Sequence, residues 1–187
     1  MVKVVAMGLI FRRRPTYLEV LLQQRLVKNK EYDPLYHRTA EIVGETLEVN
    51  DNGWPKETLL EAAIRGVREE CGKPDFKPLA VYGAGMQKMI AETHWTGRGD
   101  EYFACEPFCF IQSMGPPQPW LGPVFVFEVE PTFEPDHTQS DGEAGCAGWW
   151  LPEILAETIH QTPKQFMGLH VPALKKFADM VVAKKFS

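Results

Sequence analysis

Cysteine is scarce in this sequence, and the few cysteines form no recognisable metal motif. Four occur in 187 residues, at positions 71, 105, 109 and 146. None makes a Cys-x-x-Cys pair, and no histidine lies at a spacing that would complete a zinc site. The common zinc-site patterns are therefore excluded, and we expect reduced thiols in the core of a protein from a reducing compartment.

Long apolar runs and an excess of positive charge are also missing. No apolar run approaches the about 20 residues that span a bilayer, so no membrane association is expected. The N-terminal segment MVKVVAMGLIFRRR carries its positive cluster after its apolar run, whereas a signal peptide carries it in front, so we expect a cytoplasmic protein. The formal net charge of −5 argues against general nucleic-acid binding. It allows a small phosphorylated substrate, because a bound metal can supply positive charge locally.

The chain shows no internal repeat, low-complexity stretch or linker, so we expect a single domain over residues 1–187. Alternating or apolar segments predict strands, and amphipathic periodicity predicts two C-terminal helices. The predicted strands are 2–12, 17–25, 41–43, 77–86, 105–113, 122–130 and 148–150, and the predicted C-terminal helices are 151–159 and 171–185. Strands with a few interspersed helices indicate an α/β or α+β fold.

The most informative segment is ETLLEAAIRGVREECG, residues 57–72, which predicts one short amphipathic helix. Thr58 is a natural N-cap, and Glu61 three residues later completes a capping box. Gly72, followed by Pro74, ends the helix. Apolar residues recur at helical spacing and predict the buried stripe, which consists of Leu60, Ile64, Val67 and Cys71.

Two adjacent glutamates, Glu69 and Glu70, lie near the end of this helix. They share a helical face with position 66, which lies one turn earlier. Like charges at this spacing destabilise a helix by a few tenths of a kcal/mol per pair. A hard divalent cation would remove that repulsion, so the cluster is either a metal site or a solvated charged face.

The segment resembles the box motif of the Nudix hydrolase superfamily (MutT-like). In the family pattern a glycine is followed, after five residues, by a glutamate, and after seven more residues by Arg-Glu-aliphatic-any-Glu-Glu-any-Gly-aliphatic. The matching residues here are Glu57, Arg65, Val67, Glu69, Glu70 and Gly72. LLQQR at 21–25 is similar to the family's second strand, and 140–155 to a recurring C-terminal segment. The resemblance implies a Nudix-like α/β/α sandwich with a mixed β-sheet, and it also suggests a homodimer.

Three positions depart from the Nudix pattern. The initial glycine falls on Asp51, and Gly44 is the better candidate if the Asn-Asp-Asn-Gly turn at 50–53 is an insertion in the first loop. Lys73 replaces the final aliphatic residue. Gly66 stands where the first glutamate of the Arg-Glu segment is expected. Glycine inside a helix also costs about 1 kcal/mol relative to alanine, so the degenerate position loses a ligand and stability together.

The resemblance assigns roles to the matching residues. Glu69 and Glu70 would bind Mg²⁺, or Mn²⁺ in its place, with Glu57 as a third ligand or an orienting group. Arg65 would hold the glutamates in place through pairs with Glu61 and Glu69. The cation would polarise a phosphoryl oxygen and lower the pKa of a bound water.

The carboxylate that replaces the one missing at position 66 stays open. Glu143 is the leading candidate for the catalytic base, because in relatives the acidic residue before the tryptophan can approach the metal. The alternatives are Glu45, Glu48 and Asp141, and each of these candidates could equally be plain surface.

Substrate contacts are less defined by the sequence. Arg25 and Arg98 could meet phosphate groups. Segment 89–104 mixes aromatic, cationic and glycine residues, which fits a ligand-facing loop or hairpin and equally fits an ordinary exposed loop.

Two functions follow from these expectations. The first is a Mg²⁺-dependent hydrolase that cleaves the pyrophosphate linkage of a nucleoside diphosphate linked to another group. The second is a Nudix-fold module that binds a nucleotide with little or no hydrolysis, which Gly66 favours. A third interpretation is a Nudix-like isomerase or a fold used only for interaction.

Overall fold

Strands form most of the regular structure in the computed structural model, which describes residues 2–26, 39–82, 87–92, 99–104, 106–114, 119–139 and 144–186. The strands are β1 (Lys3–Arg13), β2 (Leu18–Arg25), β3 (Ala40–Glu41), β4 (Val43–Thr46), β5 (Ala80–Tyr82), β6 (Gln87–Glu92), β7 (Gly99–Ala104), β8 (Cys109–Gln112), β9 (Trp120–Val129) and β10 (Ala144–Trp150). The helices are α1 (Leu59–Glu70), α2 (Pro152–Gln161) and α3 (Val171–Val182), with a 3₁₀ turn at Pro163–Gln165.

Strand β1 lies at the centre of the main sheet. It pairs antiparallel with β2 and β4 and parallel with β9, so the sheet is mixed. The strand order is β10-β2-β1-β9-β5, with β3 beside β2, β4 beside β1 and β8 beside β9. Residues 5–12 of β1 are all buried, as expected for a strand that is covered on both faces.

Helices cover both faces of this sheet. Alternate side chains of β1 point to opposite faces, so β1 contributes to a separate buried cluster on each side. On one face the buried cluster includes residues of β1, α2 and α3, namely Met7, Leu9, Phe11, Leu155, Leu174 and Phe177. On the other face the cluster joins β1 to α1 through Ala6, Ile10, Ala62, Ala63 and Val67. The fold is an α/β/α sandwich around a mixed sheet, so the predicted fold class is confirmed.

Most elements expected from the sequence are present with shifted ends. The strands predicted at 2–12 and 17–25 are β1 and β2, and the helices predicted at 151–159 and 171–185 are α2 and α3. The last helix ends at Val182, three residues earlier than expected.

Two predicted strands are shorter than expected at their N-terminal ends. The strand expected to begin at residue 77 begins at Ala80, and the one expected to begin at residue 105 begins at Cys109. Pro78 and Pro107 lie just before these points, and proline cannot donate a ladder hydrogen bond.

Two smaller expectations are also answered. Strands β6 and β7 pair antiparallel, from Gln87 with Ala104 to Glu92 with Gly99, which is the hairpin alternative for this region. Cys71 is buried, Cys109 is half-buried, and both are free thiols. Within the described ranges, no helix is long and apolar enough to cross a membrane.

Phe177 tests the core beneath α3, because its ring contacts those of Phe11, Phe108 and Phe186. Phe177→Ala should lower the free energy of unfolding by about 3–5 kcal/mol, since it leaves a cavity. Phe110→Ala makes the same change at a side chain that is 59% exposed, and it should cost less than about 1 kcal/mol. Denaturant unfolding measures both; equal losses would contradict this core assignment.

Candidate active site

Helix α1 forms as its sequence predicts at both ends. The Thr58 hydroxyl accepts a hydrogen bond from the Glu61 N–H at 3.2 Å, and the Glu61 carboxylate accepts one from the Thr58 N–H at 2.7 Å. This is the predicted capping box. At the other end Gly72 has φ +60°, a left-handed conformation that favours glycine.

The buried face of α1 is rotated from the predicted stripe. Val67 and Cys71 are fully buried as expected, whereas Leu60 and Ile64 are only half-buried. The helix buries a different set against the sheet, which consists of Ala62, Ala63, Gly66, Val67 and Glu70. Position 66 and Glu70 therefore point toward the sheet.

Arg65 gathers three carboxylates around its guanidinium group. It donates to Glu57 through Nε at 3.1 Å and Nη2 at 2.7 Å, and to Glu69 through Nη1 at 3.2 Å. Its Nη1 also lies 3.4 Å from Glu45 Oε1. The bonds to Glu57 are the main reason that the pKa of Arg65 is raised above its ordinary value. Arg65 is thus the fixed cation of an acidic cluster.

One expected pair is wrong. Glu61 was expected to bond Arg65 at helical spacing, but its carboxylate is used in the cap at Thr58. Glu57, which precedes the helix, takes that place instead. Burial raises the pKa of Glu57, and the bonds from Arg65 and from the Glu48 N–H offset this and leave the pKa below its ordinary value.

Glu69 and Glu70 point in different directions although they are adjacent. The Glu69 side chain is 43% exposed and faces Arg65. The Glu70 carboxylate is buried between α1 and the sheet, where it accepts hydrogen bonds from the Gly44 N–H at 3.2 Å and from the Gln23 amide. The other polar atom of this amide, Gln23 Oε1, is buried and has no hydrogen-bond partner in the part of the chain that the structure describes.

The close approach of α1 to β4 explains Gly66. A Cβ at this position would lie 2.8 Å from the Glu45 Cβ and 3.1 Å from the Val43 Cγ1. A distance under 3 Å between two such carbons would force the helix or the strand to move. Glu45 therefore fills the space beside the helix where a side chain of residue 66 would begin.

The surroundings of Glu45 favour its neutral form, so its pKa lies above that of an ordinary glutamate. Burial raises the pKa of Glu45, the charge of Arg65 offsets only part of this, and nearby Glu69 raises it further. Oε1 accepts a hydrogen bond from the Thr46 N–H at 2.8 Å. The result is a half-buried carboxyl group suited to taking up a proton.

A cavity of about 110 Å³ adjoins the acidic cluster and extends across β4 toward the N-terminus of α3. It is lined by Val5, Arg25, Glu41, Ile42, Gly44, Glu45, Thr46, Glu70, Trp120, Met167, Leu169 and His170. Arg25 Nη1 lies 3.5 Å from both carboxylate oxygens of Glu41, a residue that is only 2% exposed. The cavity thus joins buried charges to an apolar wall.

His170 is the buried histidine of this cavity. Its Nδ1 accepts a hydrogen bond from the Ile42 N–H at 3.2 Å. Burial and the neighbouring charge of Arg25 lower the pKa of His170 to about 3. The imidazole is therefore neutral at pH 7, with its proton on Nε2.

The structure brings together only some of the residues that the sequence singles out. Glu45, Glu57 and Glu69 meet at Arg65, and Arg25 lies on the cavity that Glu45 and Glu70 also line. Glu48 is exposed, and its carboxylate lies 3.8 Å from Lys56, away from this cavity. The remaining three, Asp141, Glu143 and Arg98, lie outside the described residues.

Sequence reasoning did not find Gln23, Glu41 and His170. All three are polar residues with at most 3% exposure. The only sequence signal is a polar residue inside a predicted strand for Gln23 and Glu41, and for His170 there is none. Their burial results from contacts between distant segments, which a local pattern does not report.

The donor chemistry of the cluster fits a hard cation, although its present arrangement is closed. In the described ranges, no three His, Cys, Asp or Glu side chains converge as metal ligands. The carboxylates of Glu57, Glu70 and Glu41 instead face Arg65, Gln23 and Arg25, respectively. The atoms of the cluster that could bind a metal are carboxylate oxygens, which Mg²⁺ prefers. Gln23 Oε1, which has no hydrogen-bond partner among the described residues, adds another oxygen beside Glu70.

Solved structures identify the fold. No family model matches the chain, and no curated protein sequence matches it. A Nudix hydrolase from Alicyclobacillus acidocaldarius aligns with a TM-score of 0.61 at 15% identity, covering 96% of this chain and 92% of that one. The Nudix domain of Shewanella oneidensis NrtR in complex with ADP ribose aligns with 0.57 at 10%, covering 97% and 89%. A C. elegans Ap4A hydrolase binary complex aligns with 0.53 at 15%, covering 97% and 99%. The chain has the Nudix fold.

The neutral state of His170 can be checked through the pH dependence of stability. The unfolded chain takes up a proton at this residue below about pH 6.5, whereas the folded chain does so only near 3. The contribution to stability is complete above pH 6.5 and is lost as the pH falls toward 3. At pH 5 the loss should be ~2 kcal/mol.

His170→Asn removes the titrating group, so the difference in unfolding free energy between wild type and variant should shrink by that amount from pH 7 to pH 5. Denaturant unfolding at both pH values measures it. His160→Asn makes the same change at an exposed position and is the matched control. An equal change in the unfolding free energies of wild type and His170→Asn from pH 7 to pH 5 would show that His170 is protonated in the folded state at pH 5.

Proposed function

We propose that this chain is a Mg²⁺-dependent hydrolase that cleaves the pyrophosphate linkage of a nucleoside diphosphate linked to another group. The Nudix fold and the position of four glutamates around one helix support this proposal. The proposed substrate class is in line with two of the similar structures, which are an Ap4A hydrolase and a Nudix domain in complex with ADP ribose. A cytoplasmic location and a homodimer are part of the same proposal.

The position of Glu45 is the observation that carries the proposal. Gly66 removes one carboxylate from α1, and that loss is the main argument against hydrolysis. Glu45 approaches the same point from β4, with its Cβ 2.8 Å from where a Cβ of residue 66 would lie. We therefore assign Glu45 as the replacement in preference to Glu143, whose role stays a prediction.

Each residue has a role in this mechanism. Glu45, Glu69 and Glu70 would hold the cation, and Glu57 would keep Arg65 in place through its two hydrogen bonds. The bound cation would neutralise phosphate charge and lower the pKa of a bound water. Glu45 would also accept the proton of the attacking water at a carboxylate oxygen.

A second candidate function, nucleotide binding without hydrolysis, is favoured by one specific observation. Glu45, Glu57 and Glu69 are all paired with Arg65, so a cation must compete with an existing ion-pair network. If that network does not open, the cavity can bind a nucleotide while the chemistry fails. The two functions differ in turnover, not in binding.

Turnover of a nucleotide panel tests the proposal. Purified protein is incubated with nucleoside diphosphate sugars, ADP ribose and dinucleoside polyphosphates, with and without Mg²⁺ or Mn²⁺, and nucleotide products are quantified. We expect metal-dependent cleavage of at least one compound, reduced about 100-fold or more by Glu70→Gln. Glu153→Gln, the same change at an exposed position of α2, should retain wild-type turnover. Thermal protection by these compounds without any turnover would favour the binding module.

A carboxylate exchange tests the assignment of Glu45. Glu45→Gly should lower kcat about 100-fold or more, because it removes the proposed ligand and base. Gly66→Glu alone should destabilise the fold by about 1–3 kcal/mol, since its Cβ has no space. The double variant makes room and returns a carboxylate from the helix side, so it should recover part of kcat. Wild-type turnover in Glu45→Gly would remove Glu45 from the mechanism; circular dichroism checks the fold of each variant.

A further inference from the structure

We propose that His170 is the hydrogen-bond donor by which the cavity recognises a neutral nitrogen or oxygen acceptor on the nucleobase of its ligand. The nucleotide class of the ligand rests on the proposed function. The donor itself is argued from the cavity, and it would serve a nucleotide-binding module equally well.

The hydrogen bond to Nδ1 determines where the proton of His170 lies. Because Nδ1 accepts from the Ile42 N–H, the neutral ring carries its hydrogen on Nε2. Nε2 lies 3.8 Å from the point that a Cβ of residue 44 would occupy, so it borders Gly44 on the cavity wall. The residue is 3% exposed, and no hydrogen bond from Nε2 to another described residue is formed. Because Nε2 borders the cavity, an acceptor atom on a ligand could take its hydrogen.

The backbone holds this donor in a fixed place. The His170 N–H donates to the Met167 carbonyl at 2.8 Å, and the His170 carbonyl accepts from the Leu174 N–H at 3.0 Å, at the start of α3. The ring is thus tied to β3–β4 through Ile42 and to the last helix through its own backbone. A ligand acceptor meets a donor whose position is set before binding, which reduces the entropy lost on binding.

Arg25 contributes a cation to the same cavity, and its Nη1 lies near Glu41. Its Nε is buried and has no hydrogen-bond partner among the described residues. The apolar wall that a nucleobase ring would contact consists of Val5, Ile42, Trp120, Met167 and Leu169.

The charge of the cavity favours a neutral acceptor over a second anion. Its charged lining consists of one arginine and three carboxylates, Arg25 against Glu41, Glu45 and Glu70. Without a cation, an anionic group at His170 would be repelled by this excess of negative charge. Phosphates belong at the carboxylate end, where the proposed cation lies, and the base belongs at the His170 end.

Binding of nucleosides in the absence of metal tests the inference apart from hydrolysis, because a nucleoside carries no phosphate for the carboxylates to repel. Isothermal titration calorimetry with adenosine, guanosine, cytidine and uridine is run on wild type and three variants. His170→Asn keeps an oxygen near the Nδ1 position for the Ile42 N–H and removes the Nε2 donor. His170→Gln can place an amide N–H near the Nε2 position, and His160→Asn repeats the Asn change at an exposed site.

We expect at least one of the four nucleosides to bind wild type at millimolar concentration or below, with a preference among the bases. His170→Asn should raise the Kd of the preferred nucleoside about fivefold to tenfold and remove the preference. His170→Gln and His160→Asn should stay within about threefold of wild type. Circular dichroism confirms that each variant is folded.

Two results would overturn the inference: no binding of any of the four nucleosides to wild type, or an unchanged Kd in folded His170→Asn. The outcome is independent of catalysis. Base-selective binding that depends on His170, with no turnover of any compound, would support this inference and reject the hydrolase. Metal-dependent turnover, with a Kd and a KM in His170→Asn that equal those of wild type, would support the hydrolase and reject this inference.

Discussion

The contact between helix α1 and strand β4 at Gly66 is the constraint on which the rest of the site depends. Without a side chain at position 66, the helix lies close enough for the Glu45 Cβ to occupy the adjacent space. The same approach lets Glu70 accept the Gly44 N–H and lets Arg65 reach the Thr46 carbonyl at 2.9 Å. A larger residue at 66 would separate the two elements and break these bonds, so the degenerate motif position is also a packing requirement.

The features that could be predicted from sequence are those that depend on neighbours along the chain. The capping box of α1, its glycine end and the pair between Arg65 and Glu69 all lie within one or two turns of helix. The order of strands and helices followed from periodicity for the same reason. The Nudix register singled out Glu57 as a third ligand or an orienting group, and helical spacing favoured Glu61 as a partner of Arg65; in the structure Glu57 pairs with Arg65 and Glu61 caps the helix.

The features that could not be predicted join segments far apart in the sequence. His170 meets Ile42 across 128 positions, and Gln23 meets Glu70 across 47. Glu45 was one of three alternatives to Glu143, because a sequence does not show which strand residue faces a helical glycine. Under the proposed function, a cation must draw Glu45 and Glu69 away from Arg65. The single domain, the homodimer and the cytoplasmic location stay predictions.

The most direct measurement of the role of Glu45 is a crystal structure of the protein soaked in Mn²⁺, with the ion located by its anomalous signal. The expected result is an ion with carboxylate oxygens of Glu45, Glu69 and Glu70 within about 2.0–2.6 Å, and with Arg65 still bound to Glu57. An ion held by other residues without Glu45, or no ion at saturating Mn²⁺ with the three carboxylates still on Arg65 and Gln23, would contradict the replacement of the missing glutamate by Glu45.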